Sequence, residues 1–294
     1  MNPRHSIVVD AVLVGTVLLW AVNFSVVKFA IVHIPPMAFN SLRLVGASAI
    51  MLCLAKIFPG PDILPRDRVR FVVLALIGHT GYQLFFIESV HRTTASNAAI
   101  LLGLTPVGVA AISAVFTRDR PSARAWLGIA VSVAGVYLVL RQSTELGGDP
   151  IGDWLALGAT LCWSSYTVFG APLIKRYGLF KTNAYTMAIG SAFFLTLSAP
   201  TALRFAWRDA PTAALAAALF SLLFALVVAY CGWYFAVSRI GPTQTSVYAN
   251  LTPVAAVIVA HFWLGEPVGG QQAIGAVTIF AGIYMVRKQA RRAT

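Results

Sequence analysis

The sequence predicts an all-α integral membrane protein of ten transmembrane helices, arranged as two inverted five-helix repeats around a central cavity. Three observations predict it. Of 294 residues, 58% are hydrophobic and only 11% charged, whereas a soluble domain carries about 25% charged residues. Apolar runs of roughly 18 residues or more recur along the whole length, as membrane-spanning helices require, and the short alternating segments of a membrane β-barrel do not appear. The chain also matches itself when displaced by 147 residues, half its length.

Loop signals bound the spans in order. Span one covers 7–32 and stops at Pro35 and Pro36; span two covers 37–58 and is followed by the Pro- and Arg-rich loop 59–70. Spans three, four and five cover 71–90, 95–116 and 125–140, and the acidic, Gly-rich connection 142–149 follows. Spans six and seven cover 151–174 and 183–203. Spans eight, nine and ten cover 212–237, 243–264 and 271–286. Arg4 precedes the first apolar run, but Asp10 interrupts it and no small-residue cleavage pattern follows, so an uncleaved first span is expected.

The net charge of +12 resembles the footprint of a nucleic-acid-binding protein. The cations, however, fall in short loops between apolar runs and at the C-terminus, where a membrane protein needs them to set its topology. The lipid bilayer, not nucleic acid, is the expected partner. With both termini cytoplasmic, the inner set comprises Arg4, Lys56, Arg66, Arg68, Arg70, Arg118, Arg120, Arg124, Lys175, Arg176, Lys181, Arg239, Arg287, Lys288, Arg291 and Arg292. The outer set is Arg92, Arg141, Arg204 and Arg208, and Glu145 and Asp149 also fall outside. Sixteen against four is a strong positive-inside bias, and the expected location is a bacterial inner membrane. Cys53, Cys162 and Cys231 all lie in apolar runs at no metal or redox spacing, so buried inert thiols are expected, with no metal and no cofactor.

Displacement by 147 brings Val90 onto Val237, Arg92 onto Arg239, and Thr105, Pro106 and Val107 onto Thr252, Pro253 and Val254. Asp119 meets Glu266, Gly128 meets Gly275, Gly135 meets Gly282, and Tyr137 meets Tyr284. Upstream the register drifts, and Trp20 and Trp163 occupy the same place 143 residues apart. The repeats are 1–141 and 151–294, joined by an extracytoplasmic linker at 142–150. Five spans is an odd number, so the second half enters the bilayer upside down. Inverted repeats are the architecture of secondary transporters, whose substrate site lies near the midplane between the halves.

Trp20, Ala21, Val22, Asn23 and Phe24, with Lys28, Pro35, Pro36 and Arg43 downstream, resemble the opening of the EamA branch of the drug/metabolite transporter superfamily. The run from Tyr248 to Val254, then Leu264, Gly265 and Glu266, resembles the same branch, and Asn97, Thr105, Pro106 and Asp119 form a weaker copy. The resemblance implies a ten-helix exporter of metabolites such as amino acids. Its cavity would be lined by spans one, three, four, six, eight and nine, with five and ten at the back. Among such proteins the sequence looks most like bacterial aromatic amino acid exporters.

A helical rise of about 1.5 Å per residue puts His79, Trp20 and Trp163 near the middle of a hydrocarbon core roughly 30 Å thick. His79, Tyr82, Gln83 and Phe86 form one stripe of span three. His79 could meet a substrate carboxylate or couple to protons, or be a neutral imidazole bonded to another helix. Span one offers Trp20, Asn23 and Phe24; span six offers Trp163, Tyr166 and Thr167; span eight offers Tyr230, Trp233 and Tyr234; span nine offers Gln244 and Tyr248. Trp and Tyr at mid-depth need partners for their polar tips, which a wet cavity supplies and ordinary packing can also supply. These residues are the expected substrate site for a small molecule, an amino acid first. Lys28, Arg43 and Glu88 lie towards the outer ends of their spans, where a structural cluster is favoured over binding. Pro106 and Pro253 are expected gating kinks, with Asn97, Thr105, Asn250 and Thr252 satisfying freed carbonyls. Gly128 with Gly135, and Gly275 with Gly282, suit close helix packing or a dimer surface.

Other functions stay open at this point. An organic phosphate or nucleotide-sugar carrier would want cations at the midplane. A membrane-embedded enzyme would want a nucleophile–base pair or clustered ligands, and the histidines are scattered. A channel is a further option. The sequence has no Gly-x-x-x-x-Gly-Lys loop for ATP.

Overall fold

The computed structural model describes residues 3–116, 123–145 and 149–290. Arg118, Asp119, Arg120, Arg291 and Arg292 lie outside the described residues, as does 146–148 of the acidic connection. The described chain is helical, with no strand among the described residues. The first half contains α1 (Pro3–Ala30), α2 (Pro36–Ile57), α3 (Pro65–Ala75), α4 (Tyr82–Arg92), α5 (Ala95–Leu102), α6 (Thr105–Phe116) and α7 (Ala123–Glu145). The second contains α8 (Pro150–Tyr177), α9 (Leu179–Arg204), α10 (Thr212–Phe220), α11 (Ala229–Ser246), α12 (Leu251–Leu264) and α13 (Gly270–Ala290).

The helix ends follow from local chemistry. Pro36, Pro65 and Pro150 stand in the first turns of α2, α3 and α8, where a missing N–H costs nothing. Asp149 caps α8 by accepting from Ile151 N at 2.9 Å, and Thr94 caps α5 by accepting from Asn97 N at 3.1 Å. Gly241 takes φ 80° inside α11. That left-handed backbone, which only glycine adopts freely, separates predicted spans eight and nine.

Two π-helical segments were not visible in the sequence. Leu76–Gly81 joins α3 to α4, and Ser221–Val228 joins α10 to α11. They occupy matching places in the two halves, inside predicted spans three and eight. Such bulges occur often at functional sites, because they loosen the backbone ladder.

By length and composition, six apolar stretches of the described residues can cross a membrane: Ile7–Ala30, Pro36–Ile57, Pro65–Arg92, Ala95–Phe116, Leu179–Arg204 and Thr212–Leu264. The last contains the Gly241 turn. Large apolar side chains such as Leu18, Val45, Leu161, Leu197, Leu219 and Ile258 point outward, a surface that lipid covers and water would not. Cys53 faces outward too, and Cys162 and Cys231 are half-buried, so the expectation of three buried thiols is corrected; none is paired.

Contacts fix the relative direction of the helices. Ser41 meets Ser198 at 2.6 Å and Ser48 meets Ser191 at 2.7 Å; numbers rise along α2 as they fall along α9, so the two run antiparallel. A Cβ added at Gly135 would lie 2.7 Å from the Gly275 carbonyl oxygen, and one at Gly282 would strike Gly128 O. Helices α7 and α13 are therefore antiparallel as well, and each one's small face is filled by the other. The glycines thus serve close helix packing, and the alternative of a dimer surface on them is set aside. Helix α1 runs against the second π segment and α11 through Asn23–Ser221 and Thr16–Gly232, and α4 runs against α8 through Arg92–Gly152 and Phe85–Gly158. These two pairings exchange when the halves exchange.

The proline breaks differ from each other in detail. Pro106 begins α6 after the chain leaves α5 at Gly103, and Thr105 Oγ1 donates to Leu102 O at 2.7 Å. Pro253 follows a 3₁₀ turn at Val247–Asn250. There Thr252 Oγ1 has no hydrogen-bond partner, which corrects the expectation that it satisfies a freed carbonyl, and the acceptor Asn250 Oδ1 has none either. Asn97 likewise serves another purpose, accepting from Gln272 of α13.

If the α7–α13 approach is as close as this, Gly135→Val will lower the thermal unfolding midpoint of the detergent-solubilised protein, by an amount corresponding to about 1–3 kcal/mol. Gly15 has nothing within 4 Å of its added Cβ, so Gly15→Ala will leave the midpoint unchanged or raise it slightly. Equal midpoints for the two variants would contradict this packing.

Candidate functional site

The centre of the bundle is aromatic. Trp20 of α1 meets Trp163 of α8 edge to face, with centroids 5.4 Å apart at 89°. Trp233 lies 5.2 Å from Trp20, and Tyr230 and Tyr82 lie 5.1 and 5.2 Å from Trp163. Edge-to-face and tilted pairs set positive ring edges against negative faces, worth about 0.5–1.5 kcal/mol each beyond area burial. Trp20 Nε1 donates to Ala225 O at 3.0 Å, a carbonyl of the second π segment. Trp233 Nε1 donates to Thr167 Oγ1 at 3.4 Å. These bonds answer the question of where mid-membrane indole N–H groups find partners.

Beside this cluster lies a cavity of about 50 Å³. Trp20, Asn23 and Phe24 of α1 line one side, and Tyr82, Gln83 and Phe86 of α4 another. Trp163, Tyr230 and the π-segment residues Ala225 and Leu226 close it, and Leu102, Thr105, Ala249 and Thr252 come from the two proline breaks. Arg43 of α2 completes the wall. A volume of this size holds a few waters, whereas ligand pockets typically span about 300–1,000 Å³. The rings must part before an amino-acid-sized molecule can enter.

Two buried polar networks flank the rings. In the first, Arg43 donates from Nε and Nη2 to Asn40 Oδ1 at 2.9 and 2.6 Å, from Nη2 to Gln83 Oε1 at 2.8 Å, and from Nη1 to Ser221 Oγ at 2.6 Å. Ser221 in turn donates to Asn23 Oδ1 at 2.5 Å. In the second, His79 Nε2 lies 2.9 Å from the Tyr166 hydroxyl and 3.2 Å from Thr186 Oγ1, and those two hydroxyls are 2.7 Å apart. Asn23 and Tyr166 are 143 residues apart, as are Arg43 and Thr186. The two networks thus occupy matching places in the halves, and only one contains a guanidinium.

The structure brings Trp20, Asn23, Phe24, Tyr82, Gln83, Phe86, Trp163 and Tyr230 to one cavity wall. His79, Tyr166, Thr167, Trp233 and Tyr234 are buried behind that wall. His79 there is an imidazole bonded to hydroxyls of α8 and α9. Gln244 is exposed and the Tyr248 hydroxyl donates to Asp10 Oδ1 at 2.5 Å, so neither joins the cavity; the turn at Gly241 re-aims that segment.

The expected outer cluster of Lys28, Arg43 and Glu88 is corrected. Lys28 Nζ donates to the carbonyls of Val90, His91 and Thr93 at the end of α4, at 2.7, 3.2 and 2.6 Å. Glu88 pairs with Arg92 at 3.3 Å. Arg43 leaves both and turns inward. Its depth was legible from Pro36, but no periodicity showed that α2 presents it to the centre. Glu266 Oε1 accepts from Ala95 N at 2.7 Å and Oε2 from Ser96 N and Oγ at 3.0 and 2.7 Å, so the α12–α13 turn of the second half caps α5 of the first. Among the described residues, no group of three or more His, Cys, Asp and Glu is placed to hold a metal.

An apolar-surfaced helical bundle with a polar, aromatic centre defines a multi-pass membrane protein of the transporter class. The chain belongs to the EamA-like transporter family, whose model matches residues 8–141 and again 150–288. It is 28% identical to the uncharacterized transporter YyaM of Bacillus subtilis over 92% of this chain and 90% of that one. It is 30% identical to an uncharacterized transporter of Archaeoglobus fulgidus, covering 92% and 94%. A protein of Streptantibioticus cattleyicolor named a probable terminal-alkyne amino-acid exporter is 27% identical, covering 94% and 92%. A solved structure, titled only as the crystal structure of a protein, shares the fold with a TM-score of 0.70 at 18% identity, over 96% of this chain and 99% of that one.

Proposed function

We propose that this transporter exports small metabolites, chiefly amino acids with large apolar or aromatic side chains, as a secondary carrier of the bacterial inner membrane. Ten spans form two inverted repeats, 1–141 and 151–294, joined by the linker 142–150, with both termini cytoplasmic. The halves rock about the central cavity and open it to each side in turn. The substrate site consists of the cavity wall around Trp20, Asn23, Tyr82, Gln83, Phe86, Trp163 and Tyr230, with Pro106 and Pro253 at the moving breaks. The charge asymmetry of the loops supports the orientation, and the antiparallel α2–α9 and α7–α13 pairs support the inversion.

One observation carries the proposal: Trp20 and Trp163, equivalent residues of the two halves, meet at the centre beside the cavity. A pair related in this way is shared by both access states, and its flat faces suit an aromatic or aliphatic side chain. The similarity to a probable terminal-alkyne amino-acid exporter points to the same substrate class. An organic phosphate cargo fits less well, since among the described residues only one Lys or Arg lines the cavity.

Counterflow of labelled phenylalanine into amino-acid-loaded liposomes tests the proposal. Exchange is expected with the full chain, and Trp163→Ala is expected to slow it at least tenfold. The absence of substrate-stimulated exchange for every large apolar amino acid would contradict it.

A further inference from the structure

We infer that Arg43 recognises the carboxylate of the ligand in the central cavity, and that the cavity accepts an arylalkyl monocarboxylate whether or not it carries an ammonium group. The inference rests on the transport proposal for that cavity.

The guanidinium is 1% exposed and lines the cavity. Its acceptors are all neutral: Asn40 Oδ1, Gln83 Oε1 and Ser221 Oγ. Among the described residues, no carboxylate lies within 4 Å of it. Neutral oxygens offset part of the desolvation of a buried cation but leave its charge uncancelled, and an uncompensated buried charge is costly. A guanidinium serving structure alone would be expected to carry an acidic partner.

The donor count points the same way. Arginine has five N–H groups, and the four bonds above use Nε, both hydrogens of Nη2 and one of Nη1. One Nη1 hydrogen remains for a ligand. Second-layer bonds hold the fork still: Asn40 Nδ2 donates to Gln83 O at 3.2 Å, and Ser221 donates to Asn23. A cation held this rigidly meets its anion without reorganising.

The other end of the ligand meets no opposite charge, because among the described residues no Asp or Glu lines the cavity. It meets Trp20, Trp163 and Tyr230. The matching position in the other half is Thr186, which is uncharged, so the single cation also orients the ligand. Charge recognition therefore reads the carboxylate, and the rings read the apolar body.

The test uses the detergent-solubilised full chain and measures binding of labelled phenylalanine in competition with 3-phenylpropionate, which keeps the carboxylate, and phenethylamine, which keeps the ammonium. 3-Phenylpropionate is expected to compete within about tenfold of phenylalanine, and phenethylamine at least roughly 30-fold more weakly. Arg43→Gln is expected to weaken phenylalanine binding by roughly 30-fold or more, as loss of one partner of a buried charged contact does, and Arg43→Lys to restore part of it. Phenethylamine competing as well as phenylalanine, or wild-type affinity in Arg43→Gln, would overturn the role of Arg43 while leaving the cavity as the substrate site. Failure of the wild-type protein to bind any of the three ligands would overturn both. If Arg43→Gln does not fold, the ligand series on the wild-type protein decides by itself.

Discussion

Close contact between antiparallel helices of opposite halves is the constraint from which the rest of the structure follows. Inside a membrane there is little hydrophobic drive between helices, so association depends on van der Waals approach and interhelical hydrogen bonds. The chain supplies both at matching places. Glycines let α7 and α13 touch backbone to backbone, and serine hydroxyls join α2 to α9. With those pairs fixed, α1 is held against α11 and α4 against α8, and the faces left between them surround the aromatic centre.

That centre solves a solvation problem. Indole and phenol groups far from the interface need bonding partners, and the π segments provide some by loosening the backbone. Ala225 O receives the Trp20 N–H, Ser221 joins Arg43 to Asn23, and His79 in the first segment joins Tyr166 and Thr186. The same bulges therefore anchor the rings and carry the polar networks. The cavity between them is too small for a ligand of amino-acid size. At the α4–α5 turn, Glu266 binds the N-terminus of α5 and Lys28 the C-terminal carbonyls of α4. Each charge has the sign that its helix end favours.

Much of the helical plan was legible because apolar runs and proline breaks are local signals. Pro36 and Pro150 border predicted spans two and six and stand in the first turns of α2 and α8, whereas Pro65, inside the predicted loop 59–70, opens α3 six residues before predicted span three. The Trp20–Trp163 equivalence was legible as a repeat, and it foreshadowed their contact. The π segments were not legible, since Ser221–Val228 reads as an ordinary apolar helix, and Gly78 and Gly81 in Leu76–Gly81 weaken a helix without marking a bulge. Arg43 was misplaced for a related reason. Depth along a helix follows from counting residues, but the azimuth of a side chain depends on which neighbours surround it. Gln244 shows the converse error, for its spacing from Tyr248 implied one inward face, and the Gly241 turn sends that segment elsewhere.

The central claim is that transport requires the halves to separate at a contact that is closed here. In a protein whose own cysteines are replaced, Ser96→Cys and Glu266→Cys can be joined by a short thiol cross-linker and released by reduction. The account predicts that amino-acid exchange across liposomes stops on cross-linking and returns on reduction. Exchange continuing at the unlinked rate with the bridge in place would contradict it.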